Sequence, residues 1–301
     1  MALVTGNISA LLTPGFRVIW DASQEMWSTE YTQFMTLETS TRHFEEDHSI
    51  TQLGVVPEVG EAVPIQYDTI YDGYTKRYTN LLYGLGFSVS RVMVEDDLYR
   101  KIKNMPKALA TSAKETIETV AANHLNRAFN SSYTGGDGKV LCASDHPTYG
   151  GGGTYSNIPS VAADLDITSF EQALIDIQIN FIDDRGKKIK VMPQKLLLHA
   201  SNWFMAEKIL KSAQEPDTAN NAINPAKGAL PGGYVILHWV TDTDAWFITT
   251  NRQNGLQWFW RRRPEFTQDN DFDTENAKYK TTFRASSGWT DPRCIYGSAG
   301  A

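Results

Sequence analysis

The chain has 301 residues, 41% hydrophobic and 21% charged, with a formal net charge of −7. That composition excludes a disordered or fibrous chain, and the negative balance excludes global attraction to nucleic acid as a driving force. The apolar runs are far shorter than the ~20 residues that span a bilayer, so no membrane segment is expected, and no basic residue precedes Arg17 to mark a secretory signal. Two cysteines, Cys142 and Cys294, make no disulfide framework and suit a reducing compartment. Charge is uneven along the chain. Residues 1–50 hold 2 basic and 7 acidic side chains, and residues 251–301 hold 8 basic and 6 acidic, so the ends carry −5 and +2. In an assembly, such opposed ends set register between neighbours.

Gly6, Asn7, Pro14 and Gly15 break up the amino end, and Met26, Trp27, Tyr31, Phe34 and Met35 then predict a short amphipathic helix over 23–36. From Ile65 to Val94 the period shifts toward two. Asp72-Gly73 between two alternating runs predicts the turn of a long, polar hairpin. A two-stranded ribbon of this kind needs another surface to lie on. Glu95-Asp96-Asp97 suits a helix amino end, and Pro106 restarts a helix over 107–129. In that helix Leu109, Ala113, Ile117, Val120, Leu125 and Ala128 form the apolar stripe, with Lys114 and Glu118 on the other face. Residues 131–165 read as loop, and Thr168 as the cap of a helix running to Ile182. Strands follow at 195–199, 234–240, 245–250, 256–261 and 278–284, with a helix at 203–212. The class is α+β.

Chemistry finds little hold. Gly135-Gly136-Asp137-Gly138-Lys139 is followed by Val140 rather than Ser or Thr, and it leaves a helix, so it is no phosphate loop. Asp269, Asp271 and Asp273 start a calcium-loop spacing, but Thr274 and Lys280 stand where glycine and glutamate are needed. The cluster His43, Glu45, Glu46, Asp47 and His48 lacks the spacing of a metal site, and Cys142, Asp145 and His146 are close in sequence without triad order. Trp258 and Trp260 on one strand face read as core rather than a sugar platform. Arg261-Arg262-Arg263 reads as a subunit contact before a nucleic-acid patch.

The order of features resembles a known family: an aromatic arm, a long polar hairpin, a long amphipathic helix, a glycine-rich loop and an α/β region. Several stretches carry the likeness. They are Gly86-Phe87 through Glu95-Asp96-Asp97, Leu109 to Ser112 with Ala128-Phe129, Gly138 to Leu141 with Asp145-His146-Pro147, and Asn220 to Pro225. Asp244-Ala245-Trp246-Phe247 and the ending with Gly288-Trp289, Arg293 and Tyr296-Gly297-Ser298 complete it. The chain resembles the major capsid subunits of tailed bacteriophages, with a Hong Kong 97-type fold, and is most similar to the Mu-like major head subunit family.

That resemblance implies an N-arm over 1–43, an E-loop over 44–85, and a P-domain with its spine helix over 86–165. An A-domain over 166–254, and a return to the P-domain sheet with the carboxyl-terminal segment over 255–301, complete the plan. It implies a non-enzymatic, cofactor-free protein that assembles into hexamers and pentamers of an icosahedral shell in the virion, built in the bacterial host cytoplasm. Portal, scaffold and decoration proteins and non-specific contact with packaged DNA are the implied partners. The absence of a long charged leader implies a separate scaffold. Contact between subunits is expected of Glu45, Glu46, Asp47, Tyr71, Asp72, Gly73, Lys76, Arg77, Arg261, Arg262 and Arg263, and Lys76 is the one lysine of the E-loop on which a cross-link could rest. Alternative readings are an encapsulin-like compartment of the same fold and a glycan-binding or hydrolytic protein.

Overall fold

A computed structural model describes residues 8–96, 101–214, 223–271 and 276–301. Gly6, Asn7, Asp97, Asp273, Thr274 and Asn220 to Ala222, singled out above, lie outside them. In chain order the elements are α1 (Ile8–Gln24), a 3₁₀ turn at Tyr31–Gln33, β1 (Thr36–Thr39), β2 (Phe44–Ile50), β3 (Asp72–Thr79) and β4 (Leu81–Val89). Then come α2 (Arg91–Glu95), α3 (Asn104–Asn126), β5 (His146–Pro147), β6 (Thr154–Tyr155), α4 (Ile167–Asn180), β7 (Pro193–Leu198) and α5 (Trp203–Lys211). The chain closes with β8 (Tyr234–Ile236), β9 (Trp246–Thr250), β10 (Leu256–Asn270), β11 (Ala277–Trp289) and β12 (Ile295–Ser298).

Two four-stranded sheets organise the molecule. The first runs β1-β10-β11-β4 and the second β12-β9-β7-β8. β10 and β11 form a long antiparallel pair whose pleat serves two surfaces. Trp258 and Trp260 turn toward α3 and share a core with Ile117, Ala121, Leu125 and Phe283. The alternate residue Phe259 meets the Tyr78 ring at 5.0 Å on the opposite face. Gly288 lies beneath that ring: a β-carbon there would come within 2.7 Å of it, so glycine is needed for the close approach. In the second sheet Leu196, Leu198, Trp246, Ile248 and Tyr296 pack on α4 and α5, while Leu197, Phe247 and Ile295 face the core of the first sheet. The apolar run Leu196-Leu197-Leu198 is thus a strand buried on both faces.

The segment between α3 and α4 has little regular structure but is pinned from inside. The fully buried Asn157 donates to the carbonyls of Leu141, Pro292 and Ile295 at 2.8, 3.2 and 3.1 Å, and its Oδ1 accepts from Ala143 N at 2.8 Å.

Several expectations are corrected. The amino-terminal helix is α1, not 23–36, and it contains Pro14. Phe16 and Trp20 dock it on Tyr279 (5.1 Å) and Phe266 (5.9 Å), and burial outweighs poor local propensity. Glu95 ends α2 rather than opening a helix, because Ser90 caps its start by accepting from Met93 N. Asp166, not Thr168, caps α4 in a box with Ser169. β1, placed in the arm, pairs with β10; β4 belongs to the first sheet; and β12, in the carboxyl-terminal segment, pairs with β9 of the second sheet.

At the end of α3, His124 bonds Ser287 Oγ at 2.8 Å and sits edge-on to Trp289 at 5.8 Å. Burial lowers its imidazole to about 4, and the charges of Arg127 and Lys76 push the same way. The unfolded chain therefore binds the proton first as pH falls below 6.5, and stability drops until about pH 4. The loss is up to about 3 kcal/mol, at about 1.4 kcal/mol per unit. In urea titrations at pH 7 and 4.5, His124→Gln is expected to lose less midpoint than the unaltered chain. Equal losses would refute the assignment.

Candidate assembly interface

β2 and β3 form a two-stranded ribbon that leaves the first sheet and carries the segment 51–71 at its end. Its base is anchored. Tyr78 is buried and its hydroxyl bonds Thr290 Oγ1 at 2.5 Å, while Lys76 donates to Thr134 O at 2.7 Å. Asn80 bonds Ser40 and Ser286. Thr51 N donates to Tyr71 O at 3.0 Å and Tyr71 N to Thr51 Oγ1 at 2.9 Å, which closes the ribbon's far end.

The Asp72-Gly73 pair does not make the expected turn. Both residues open β3, whose partner is the upstream β2. Gly73 stands where the strands crowd at a register shift between His48 and Ile50; a β-carbon there would lie 2.2 Å from Ser49 Oγ. Residues 65–71 are not a strand, because the charged β2 supplies the ladder instead.

Beyond Thr51 the chemistry changes. Val55, Val56, Val63, Ile65 and Tyr67 are all exposed, Val56 at 89% and Tyr67 at 98%. Contiguous exposed apolar side chains mark a surface meant for contact. Within the chain this tip is tethered by polar groups. Asp68 accepts from Gly54 N at 2.8 Å and pairs with Arg185 at 2.5 Å, and Lys187 donates to Leu53 O. The Gly54 N–H, then Arg185, holds the Asp68 carboxyl below its usual range. Exposed pairs of this kind are weak and screened by salt, so the tip is free to exchange partners.

The expected contact residues fall in two places. Glu46 pairs with Arg77 at 2.6 Å, and Arg77 also lies over Phe44 at 4.2 Å. Glu45 accepts from Ser40 Oγ at 2.8 Å, and Asp47 accepts from Gln257 Nε2 at 3.3 Å. Arg261, Arg262 and Arg263 sit at two register shifts of β10, beside Pro264, which cannot donate to the ladder. Arg262 is used inside the chain, by Thr282 Oγ1 at 2.8 Å and Glu265 at 3.8 Å. Arg261 and Arg263 are exposed, with a 3.4 Å bond from Arg261 to Ser40 O and Arg263 over the Trp260 ring at 5.8 Å, and neither pairs with an acid among the described residues. The structure brings no acid of 45–47 onto these arginines within one chain. The other candidate chemistry has structural roles. His146 is buried against Asp137 at 2.6 Å, Lys139 pairs with Asp145, and burial raises the Cys142 thiol. Trp258 and Trp260 are core, as expected.

One element escaped sequence reading. Lys114 and Glu118, one turn apart on α3, are buried at 4% and 2% exposure rather than solvated. Lys114 Nζ donates to the carbonyls of Gln24 (2.7 Å) and Trp27. The Glu118 carboxylate accepts from the backbone N–H of Glu30 and Tyr31, both at 2.9 Å. Burial lowers the Lys114 ammonium and raises the Glu118 carboxyl. The two side chains clasp the link between α1 and β1 onto the long helix. Only their four-residue spacing, which also fits a surface pair, hints at this in the sequence.

A family model described as phage capsid protein matches residues 74–298. No curated protein matches the chain by sequence. Among solved structures it is similar to the capsid of Cyanophage P-SCSP1u, with a TM-score of 0.59, 9% identity, and coverage of 91% of this chain and 88% of that one. The capsid of a native GTA particle gives 0.55, 13%, 92% and 92%. A virus-like particle from Pyrococcus furiosus gives 0.53, 10%, 95% and 98%. At these identities the likeness carries the architecture.

Proposed function

This chain belongs to the phage capsid protein family and is a major capsid subunit of a tailed bacteriophage with the Hong Kong 97-type fold; from that premise we propose how it builds its shell. The observation that carries the proposal is the anchored ribbon with its exposed apolar tip. A single copy holds the tip by weak polar contacts, and a second copy can bury it. Heterologous contacts of this kind close into rings of six and five, and many separately weak contacts add up over a shell. The ribbon and tip, 44–79, serve as the E-loop. The first sheet with α3 serves as the P-domain, and the second sheet with α4 and α5 as the A-domain. The segment up to β1 serves as an N-arm, held on its own subunit by Lys114 and Glu118. The chain works by assembly and not by turnover, in the host cytoplasm, with portal, scaffold and decoration proteins as partners and loose contact with packaged DNA. Negative-stain microscopy of the expressed chain tests this directly: closed, uniform particles are expected, and a dispersed protein at every concentration and salt would overturn it.

The arginine run meets acids of a neighbour in this scheme. Arg261→Glu with Arg263→Glu, leaving Arg262 to its own sheet, is expected to block assembly. Adding Glu45→Arg and Glu46→Arg is expected to restore it in part, since like charges repel and a matched reversal removes the repulsion. No rescue would mean the partners are other groups.

A further inference from the structure

A half-open cavity of about 590 Å³ lies between the base of the ribbon, the carboxyl half of α3 and the end of β11. Lys76, Arg77, His124 and Arg127 line it, and no aspartate or glutamate does so among the described residues. This is a local excess in a chain with 35 acidic against 28 basic side chains. Arg77 is already neutralised by Glu46. Lys76 and Arg127 make no ion pair among the described residues, and the one carboxylate whose charge acts on Lys76, Asp137, is held by His146. The Lys76 ammonium has three N–H groups and, among the described residues, one acceptor, Thr134 O; its other neighbour is the face of Trp289, 5.5 Å away. The Arg127 guanidinium lies 4.3 Å over the exposed Tyr133 ring and meets no carboxylate among the described residues. Lys76, His124 and Arg127 all line this one cavity.

We propose that this cavity binds a phosphate group of a nucleotide or single strand between Lys76 and Arg127, with a base laid on the Arg127–Tyr133 stack. Two unpaired cations match the charge of a phosphate, and a guanidinium matches its oxygens two at a time. The volume falls in the range of small-ligand sites, and duplex DNA is too wide to enter. An exposed aromatic face beside cations is the arrangement on which unpaired bases stack.

The test titrates the dispersed chain with inorganic phosphate, thymidine monophosphate, a short oligothymidylate and an oligoglutamate. Binding of the monophosphate or the oligothymidylate is expected, and whichever binds tighter distinguishes free nucleotide from strand. For the strand, two phosphate contacts give a salt slope of about −1.4. Lys76→Gln with Arg127→Gln, checked for an unchanged melt, is expected to weaken binding at least about tenfold, or 1.4 kcal/mol. Arg127→Gln alone, at an exposed position, should give part of that loss if the double variant melts early. No binding, equal binding by both variants, or tighter binding of oligoglutamate overturns the proposal. Microscopy of the unaltered chain scores shell formation separately, so a missing phosphate site and a missing shell are distinguishable failures.

Discussion

Replacing residues 52–70 by a short Gly-Ser turn is expected to leave a cooperative melt and to abolish closed particles. The cut is set by the structure. Thr51 and Tyr71 bond each other across the ribbon, so a turn can be grafted between them without disturbing either strand. A longer cut into β3 would remove Tyr78, whose buried ring fills the space above Gly288 and Phe259, and would confuse loss of folding with loss of assembly. The contacts removed are the exposed Asp68–Arg185 pair, the Arg185 bond to Thr69 O and the Lys187 bond to Leu53 O, all solvent-exposed and weak. A shorter loop costs less closure entropy, about 0.6 kcal/mol per halving and so about 1 kcal/mol for a short turn, which offsets much of the loss. The melting temperature should therefore move by a few degrees at most. Normal particles from this variant would show that the apolar tip is not what joins subunits.

The second large effect is expected at the clasp. Glu118→Ala strands the N–H groups of Glu30 and Tyr31 and leaves Lys114 buried without its nearby counter-charge. Removing one member of such a buried charged set costs about 3–5 kcal/mol, a large part of a typical domain's stability. Lys114→Met should also destabilise, because it leaves two carbonyls without their donor, at about 1–3 kcal/mol each, and Glu118 without the Lys114 charge. The two should couple, so that the double variant loses less than the sum. Urea midpoints give the energies, and limited proteolysis between Gln24 and Glu30 reports whether the link has come free. A loss below about 1 kcal/mol for Glu118→Ala would mean the arm is held elsewhere.

What the sequence made legible follows from the kind of force involved. The stripe on α3, the strand at 193–198 and α5 rest on apolar periodicity and formed within a few residues of their expected bounds, while β10 and β11 began where expected and ran on nine and five residues further. Family likeness extended this to the fold class. The misreadings came where tertiary contact outweighed a local signal. Pro14 and Gly15 read as breakers, yet Phe16 and Trp20 bury enough surface to hold α1 together. Asp72-Gly73 read as a turn because that dipeptide usually is one, while here glycine answers the crowding of Ser49 from a strand more than twenty residues earlier. Lys114 and Glu118 read as a solvated pair because a helical wheel cannot know that the chain's own backbone will cover that face. The tip's apolar exposure was hidden in valines spaced among prolines and glycines, with no period to announce them.

The core shared by the two sheets has a mechanical consequence. Leu197, Phe247 and Ile295 project from the second sheet into the same cluster that holds Trp258 and Phe283 of the first. A wall stretched from within pulls each tile along its plane, and a tile made of two bodies joined by a strap would yield at the strap. Here tension crossing from one sheet to the other must shear interlocked side chains at crystalline density rather than swing a hinge. Strain is thereby sent outward to the ribbon's weakly tethered tip.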